Sequence, residues 1–223
     1  MIRVSIVVLI ALAVGFAFGA PAPKDPGLTY LDLQPYGTHK LADDSASGLA
    51  GNNLAALPTG EREFAGVKFQ VGEKYLQLGS PHFRSERPDK IEGIKVGRAF
   101  KKLHILHSTG YGSSPEGSVR HITDGTVVAE YRVKYEGGDT ATIEVVYGKH
   151  VRDYWFDKDA PAVTGSKVAW EGDSDAAKRA GKQVRLFLTT WDNPKPGKRV
   201  IEIDYVRAKD TPAAPFCVAL TAE

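Results

Sequence analysis

The 223-residue sequence is 42% hydrophobic and 25% charged, a balance that excludes wholesale disorder, collagen and coiled coil. With 29 Lys and Arg against 27 Asp and Glu, the net charge of +2 argues against a basic face built for a phosphate backbone, so nucleic acid is not an expected partner. The lone cysteine, Cys217, excludes an intramolecular disulfide, and flanked by Phe216 and Val218 it reads as a buried, inert thiol.

In chain order, residues 1–19 read as a secretory signal. They carry one charge at Arg3, an apolar run over 4–18 broken only by Ser5 and Gly15, and small Ala17 and Gly19 placed for cleavage. The run is shorter than the roughly 20 residues a bilayer span needs, and Pro21, Pro23 and Pro26 follow it at once. The expected product is secreted or periplasmic, with no membrane span after signal removal. Residues 20–27 form a proline-rich linker, and 28–223 are sized for one domain.

From Leu28 onward, short segments rich in Val, Ile, Tyr, Phe and Thr alternate with Gly, Pro, Asp and Asn, the pattern of an all-β chain. Strands are predicted over 30–33, 63–71, 75–78, 91–96 and 102–107. The clearest hairpin covers 127–147. Ala129, Tyr131, Val133 and Tyr135 alternate with Glu130, Arg132 and Lys134, Gly137-Gly138 makes the turn, and Ile143, Val145 and Tyr147 return on the same face. Further strands over 167–170, 184–190, 200–206 and 216–221 bring the number to about eleven, enough for an antiparallel two-sheet β-sandwich. One short helix is predicted over 174–180, capped by Asp173 or Ser174 and stopped by Gly181.

Three stretches carry a resemblance. Asn52-Asn53-Leu54 through Gly60 with Phe64–Phe69, the run Lys102–Gly112, and Trp191–Lys198 leading into Ile201–Val206 resemble the opening, middle and end of a carbohydrate-binding-like β-sandwich domain of secreted bacterial proteins. That family, NPCBM-like and of planctomycete type, implies a galactose-binding-type jelly roll. Its modules often accompany glycoside-active enzymes. The loop Asp43–Gly48 lacks the tryptophan that such members carry, and Tyr154-Trp155 stands where they tend to show a Trp pair.

Aromatic side chains on loops suit sugar binding, because the apolar face of a pyranose stacks on a flat ring while polar neighbours take its hydroxyl groups. Tyr154 and Trp155 lie in such a place, with Arg152, Asp153 and Asp157 around them. The structural alternative has Trp155 plugging the end of the sandwich and Asp153 pairing with Arg152 or capping a turn. Trp191 and Asn193 form a second candidate pair, although the stretch reads first as a turn, with Asx bonding of Asn193 to its own backbone as the alternative to a sugar contact. Trp170 reads as core. Tyr111, between Gly110 and Gly112, projects from a loop.

His104 and His107 are three apart on a strand and point to opposite faces, so they cannot share a metal. A structural calcium is possible by residue type only, at Asp43, Asp44 and Asp124, and no other cofactor is expected. No nucleophile elbow, zinc-protease, P-loop or dinucleotide motif occurs. The expectation is an exported, non-catalytic module binding carbohydrate or a glycan-bearing surface. Two alternatives remain open: a structural or adhesive module whose partner is another exported protein, and a small glycoside hydrolase using Asp153 with Asp157 or Glu171.

Overall fold

A computed structural model describes residues 27–114 and 117–223; the predicted signal and nearly all of the linker lie outside the described residues. In chain order the first strands are β1 (Thr29–Tyr30), β2 (His39–Lys40), β3 (Gly60–Phe64), β4 (Val67–Val71), β5 (Lys74–Gln77), β6 (Lys90–Arg98) and β7 (Lys102–Ser108). They are followed by β8 (Val127–Tyr135), β9 (Thr140–Val146), β10 (Trp155–Phe156), β11 (Lys167–Gly172), α1 (Asp175–Arg179), β12 (Gln183–Asp192), β13 (Val200–Arg207) and β14 (Phe216–Ala222).

Among the described residues, twelve of the fourteen strands form two antiparallel sheets packed as a sandwich, and β3 and β4 pair as a separate two-stranded hairpin. The larger runs β12-β7-β14-β5-β2, with β10 and β11 also paired to β12 and β1 to β14; the smaller runs β6-β13-β8-β9. The period-2 alternation of 127–147 explains the smaller sheet. Tyr131, Val133 and Tyr135 point inward, where they meet Leu103 and Ile105 of β7, Phe187 of β12 and Leu220 of β14 in one apolar layer, while Thr140, Thr142 and Glu144 face water. Asp204 of β13, almost wholly buried, accepts from the Gly93 amide at 2.9 Å and from Lys134 Nζ at 2.9 Å, which ties β6, β13 and β8 together.

The larger sheet is covered on its other face as well. Leu106, Leu186, Leu188, Phe216 and Val218 lie in a second apolar layer with Phe64, Phe69 and Val71 of the β3–β4 hairpin and with Leu41, Leu54 and Leu57 from the loop before it. Thr221 Oγ1 donates to the Lys68 carbonyl at 2.9 Å and fastens the hairpin to β14. With cover on both sides, β14 is buried at every residue, which is why its sequence reads as a nearly continuous apolar run. Residues 63–71, expected as one strand, are instead the end of β3, a turn and β4. Ala65 and Gly66 both have positive φ (50° and 85°), the conformation that joins two strands in a tight hairpin.

Ser174 caps α1 by accepting from the Ala177 amide at 3.2 Å, and Gly181 follows the helix at φ 68°. The two histidines of β7 face oppositely, as their spacing requires. His104 meets Thr190 Oγ1 at 2.9 Å and the Glu223 carboxylate at 3.0 Å, while His107 points into the core beside Tyr131. Burial pushes the Cys217 thiol up to about 12, so it stays protonated and unreactive.

His107 sets a pH dependence. Its Nε2 lies 2.7 Å from Thr189 Oγ1, and burial, with the nearby His150 adding to it, lowers its pKa to about 3. The unfolded chain takes up that proton near the ordinary histidine value, so the native state loses stability as pH falls below about 6.5, by about 2 kcal/mol on reaching about pH 5. His39 and His150 are shifted down too and act in the same sense. Denaturant titrations at about pH 7.5 and about pH 5 should show this loss in the native sequence and a markedly smaller one in His107→Gln. Equal losses in the two proteins would contradict a buried neutral imidazole.

Candidate functional site

At the end of the larger sheet where β5 and β7 finish and β14 begins, loops far apart in sequence converge. The loop after β2 brings Ser45, Ser47 and Asn52; the segment after β5 brings His82, Phe83 and Arg84; the segment after β7 brings Gly110, Tyr111 and Arg120; and the stretch entering β10 brings Asp153, Tyr154 and Trp155. Together they enclose a cavity of about 390 Å³.

The floor is stitched by main chain. The Tyr154 amide donates to the Thr109 carbonyl at 2.7 Å, the Arg185 amide donates to Tyr154 O at 2.7 Å, and Gly110 and Ala214 exchange two bonds of 3.2 and 3.1 Å. Asp153 is 3% exposed. Its two carboxylate oxygens lie 2.9 and 3.1 Å from the Gly112 amide, and Tyr147 OH donates to one of them at 3.2 Å. Burial pushes this carboxyl above the usual carboxylate range, with the Gly112 amide acting against the rise. Position 112 must be glycine for a steric reason, since a Cβ there would lie 2.6 Å from the Tyr147 ring.

Asn52 joins the first loop to the aromatic pair. Its Oδ1 accepts from Tyr154 OH at 2.6 Å and from Trp155 Nε1 at 3.1 Å, and its Nδ2 donates to Ser45 Oγ at 2.7 Å and Ser47 Oγ at 3.3 Å. Tyr154 also sets its ring edge-on to Phe216, at 5.5 Å. It is therefore a wall, held at both ends, whereas the Trp155 indole is held at its nitrogen, tilts against the Tyr154 ring at 6.3 Å and stays half-buried.

Tyr111 sits in the left-handed region at φ 62°, costly for a bulky residue. Its ring is held edge-on to His82 and Phe83, at 5.2 and 5.9 Å, and the Arg120 guanidinium lies 5.2 Å from its centroid.

Of the residues singled out in the sequence, Asp153, Tyr154, Trp155 and Tyr111 line the cavity, while Arg152, Trp191 and Asn193 do not. Arg152 turns away, pairing with Asp124 through two bonds of 2.9 and 2.6 Å and donating Nε to the Ala162 carbonyl at 2.9 Å. Trp191 lies opposite Leu103 at the start of β7, six residues and so about 20 Å along the strand from Thr109 at the cavity end. There it meets Phe100 edge-on, as part of the inter-sheet layer. Asn193 is buried. Its Oδ1 accepts from Tyr135 OH at 2.5 Å and from the Lys195 amide at 2.9 Å, and its Nδ2 donates to the Phe100 carbonyl at 2.9 Å, so the Asx alternative describes it. Trp170 packs at the edge of the outer apolar layer.

Asn52, Arg84, His82 and Arg120 carried no functional reading in the sequence; the one available signal was Tyr111 between two glycines. Among the described residues no three His, Cys, Asp or Glu side chains converge to hold a metal ion. Of the calcium candidates, Asp124 is engaged by Arg152 and Asp44 caps the Gly51 amide at 2.8 Å. No known protein family, curated protein or solved structure matches the chain.

Proposed function

We propose that this protein is an exported, non-catalytic module that binds carbohydrate, or a glycan-bearing surface, in the cavity at the end of the larger sheet. The observation that carries the reading is the lining itself. A half-buried indole and a constrained phenol ring stand beside serine hydroxyls and side-chain amides, in a space of about 390 Å³. That volume falls within the range of small-molecule sites, and the mixture of flat apolar faces with few polar groups is what a pyranose ring requires.

Binding without turnover is favoured by the carboxylates. Among the described residues Asp153 is the acidic side chain of the lining, already satisfied by its own chain. Asp157 pairs with Lys182 at 3.4 Å and Glu171 lies exposed on β11, both outside the lining, so a second carboxylate for glycosidic cleavage does not face the first.

Calorimetric titration with galactose and its β-linked oligomers tests the proposal. Trp155→Ala should weaken binding at least about tenfold through loss of the stacking face. Trp155→Phe should keep most of the affinity, since it retains a ring and gives up only the bond to Asn52. A blank titration with the native protein, together with capture of one exported protein partner, would replace this reading with the adhesive one.

A further inference from the structure

The lining of this cavity holds more positive charge than the chain itself uses. Arg132, Arg152 and Arg207 each pair with a carboxylate, Glu130, Asp124 and Asp89 respectively. Arg84 and Arg120 both line the cavity, and among the described residues neither guanidinium has a carboxylate partner or a hydrogen-bond acceptor.

Both are placed by contacts that leave their donors free. The Arg84 amide donates to the Ala46 carbonyl at 2.9 Å and its stem crosses Gly48 so closely that a Cβ there would lie 2.7 Å from Arg84 Cδ; φ of 71° at that position also calls for glycine. Arg120 rests on the Tyr111 ring. Arg84 follows Phe83, whose ring lies 5.9 Å from that of Tyr111, and both arginines line the same cavity. Two residues before Arg84, His82 lines the cavity with its Nε2 buried and without a hydrogen-bond partner. Among the described residues the sole acidic group of the lining, Asp153, is buried and turned toward Gly112 and Tyr147. Two forked cations without carboxylate partners, with no opposing exposed carboxylate among the described residues of the lining, form a receptor for an oxyanion.

We infer that the bound saccharide is acidic, carrying a carboxylate or a sulfate ester that sits between Arg84 and Arg120. This rests on the saccharide reading above, and adds the class of sugar. The aromatic and hydroxyl part of the cavity receives the ring, and the arginine pair receives its anionic substituent.

The test titrates the protein at low ionic strength with galactose, galacturonate, galactose 6-sulfate and inorganic sulfate. At least one of the two acidic sugars should bind about tenfold or more tightly than galactose, which also identifies the anion, and the difference should shrink with added salt. Arg84→Gln and Arg120→Gln should each remove about tenfold of that advantage, read in each variant as the affinity for the acidic sugar relative to that for galactose. Arg132→Gln, on the smaller sheet, should change neither. Galactose binding as tightly as both acids, or acidic-sugar binding indifferent to both arginine variants, would overturn the inference and leave the saccharide reading standing. Inorganic sulfate binding as tightly as the acidic sugars would overturn the saccharide reading and the inference with it.

Discussion

Phe69→Ala should lower the free energy of unfolding by about 3–5 kcal/mol, a large share of what holds a domain of this size together. Phe69 is completely buried on β4, with its ring 6.4 Å from that of Phe64, in the layer that covers Leu106, Leu186 and Phe216 on the outer face of the larger sheet. Truncation removes the ring from that layer and leaves a cavity that a two-stranded ribbon, fastened to β14 at Lys68, cannot fully close. Its strand neighbour Gln70 is exposed, and Gln70→Ala should change stability by less than about 0.5 kcal/mol. Paired denaturant titrations measure both. A loss below about 1 kcal/mol for Phe69→Ala would mean that the hairpin is an appendage and that β14 is not a central buried strand.

Asn52→Ala should be the most damaging single change at the cavity. One side chain satisfies the Tyr154 phenol, the Trp155 indole and two serine hydroxyls, so its removal leaves two aromatic donors without their acceptor in a largely buried setting. The expected cost is about 2–4 kcal/mol of stability, together with a loss of saccharide affinity larger than that of Trp155→Ala, because both the wall and the indole lose their anchor. Asn52→Asp keeps the acceptor but loses both donated bonds, and should fall between the two. Unchanged stability and unchanged binding in Asn52→Ala would show that the loop after β2 is not part of the site.

What could be read from the sequence depends on whether the information is local. The alternation of 127–147 depends only on neighbours, and the residues it assigned inward, Tyr131, Val133, Ile143 and Val145, are buried. The Ala65-Gly66 turn escaped because alanine rarely adopts positive φ, and the short pairings of β2 and β10 escaped because two residues carry no period. Opposite facing of His104 and His107 followed from strand geometry alone.

The candidate site divides the same way. Asp153, Tyr154 and Trp155 are consecutive and could be noticed together, but Arg152 in the same run turns to Asp124. Asn52, Arg84, Tyr111 and Arg120 come from three loops whose meeting depends on β5 and β7 lying either side of β14. That strand order is set by long-range packing, and no pattern within a segment records it. Trp191 and Asn193, a second candidate pair with a turn as the competing reading, close the far end of β7 and β12.

The chain has three tryptophans, so its nitrogen-15-labelled spectrum offers three indole N–H resonances that separate the two ends of the sandwich in one experiment. On titration with galacturonate or galactose 6-sulfate, the Trp155 resonance and the Gly110 and Gly112 amides should move together with saturation, while Trp170 and Trp191 stay fixed. Movement confined to Trp191, or none at Trp155 with any of these sugars, would contradict the account.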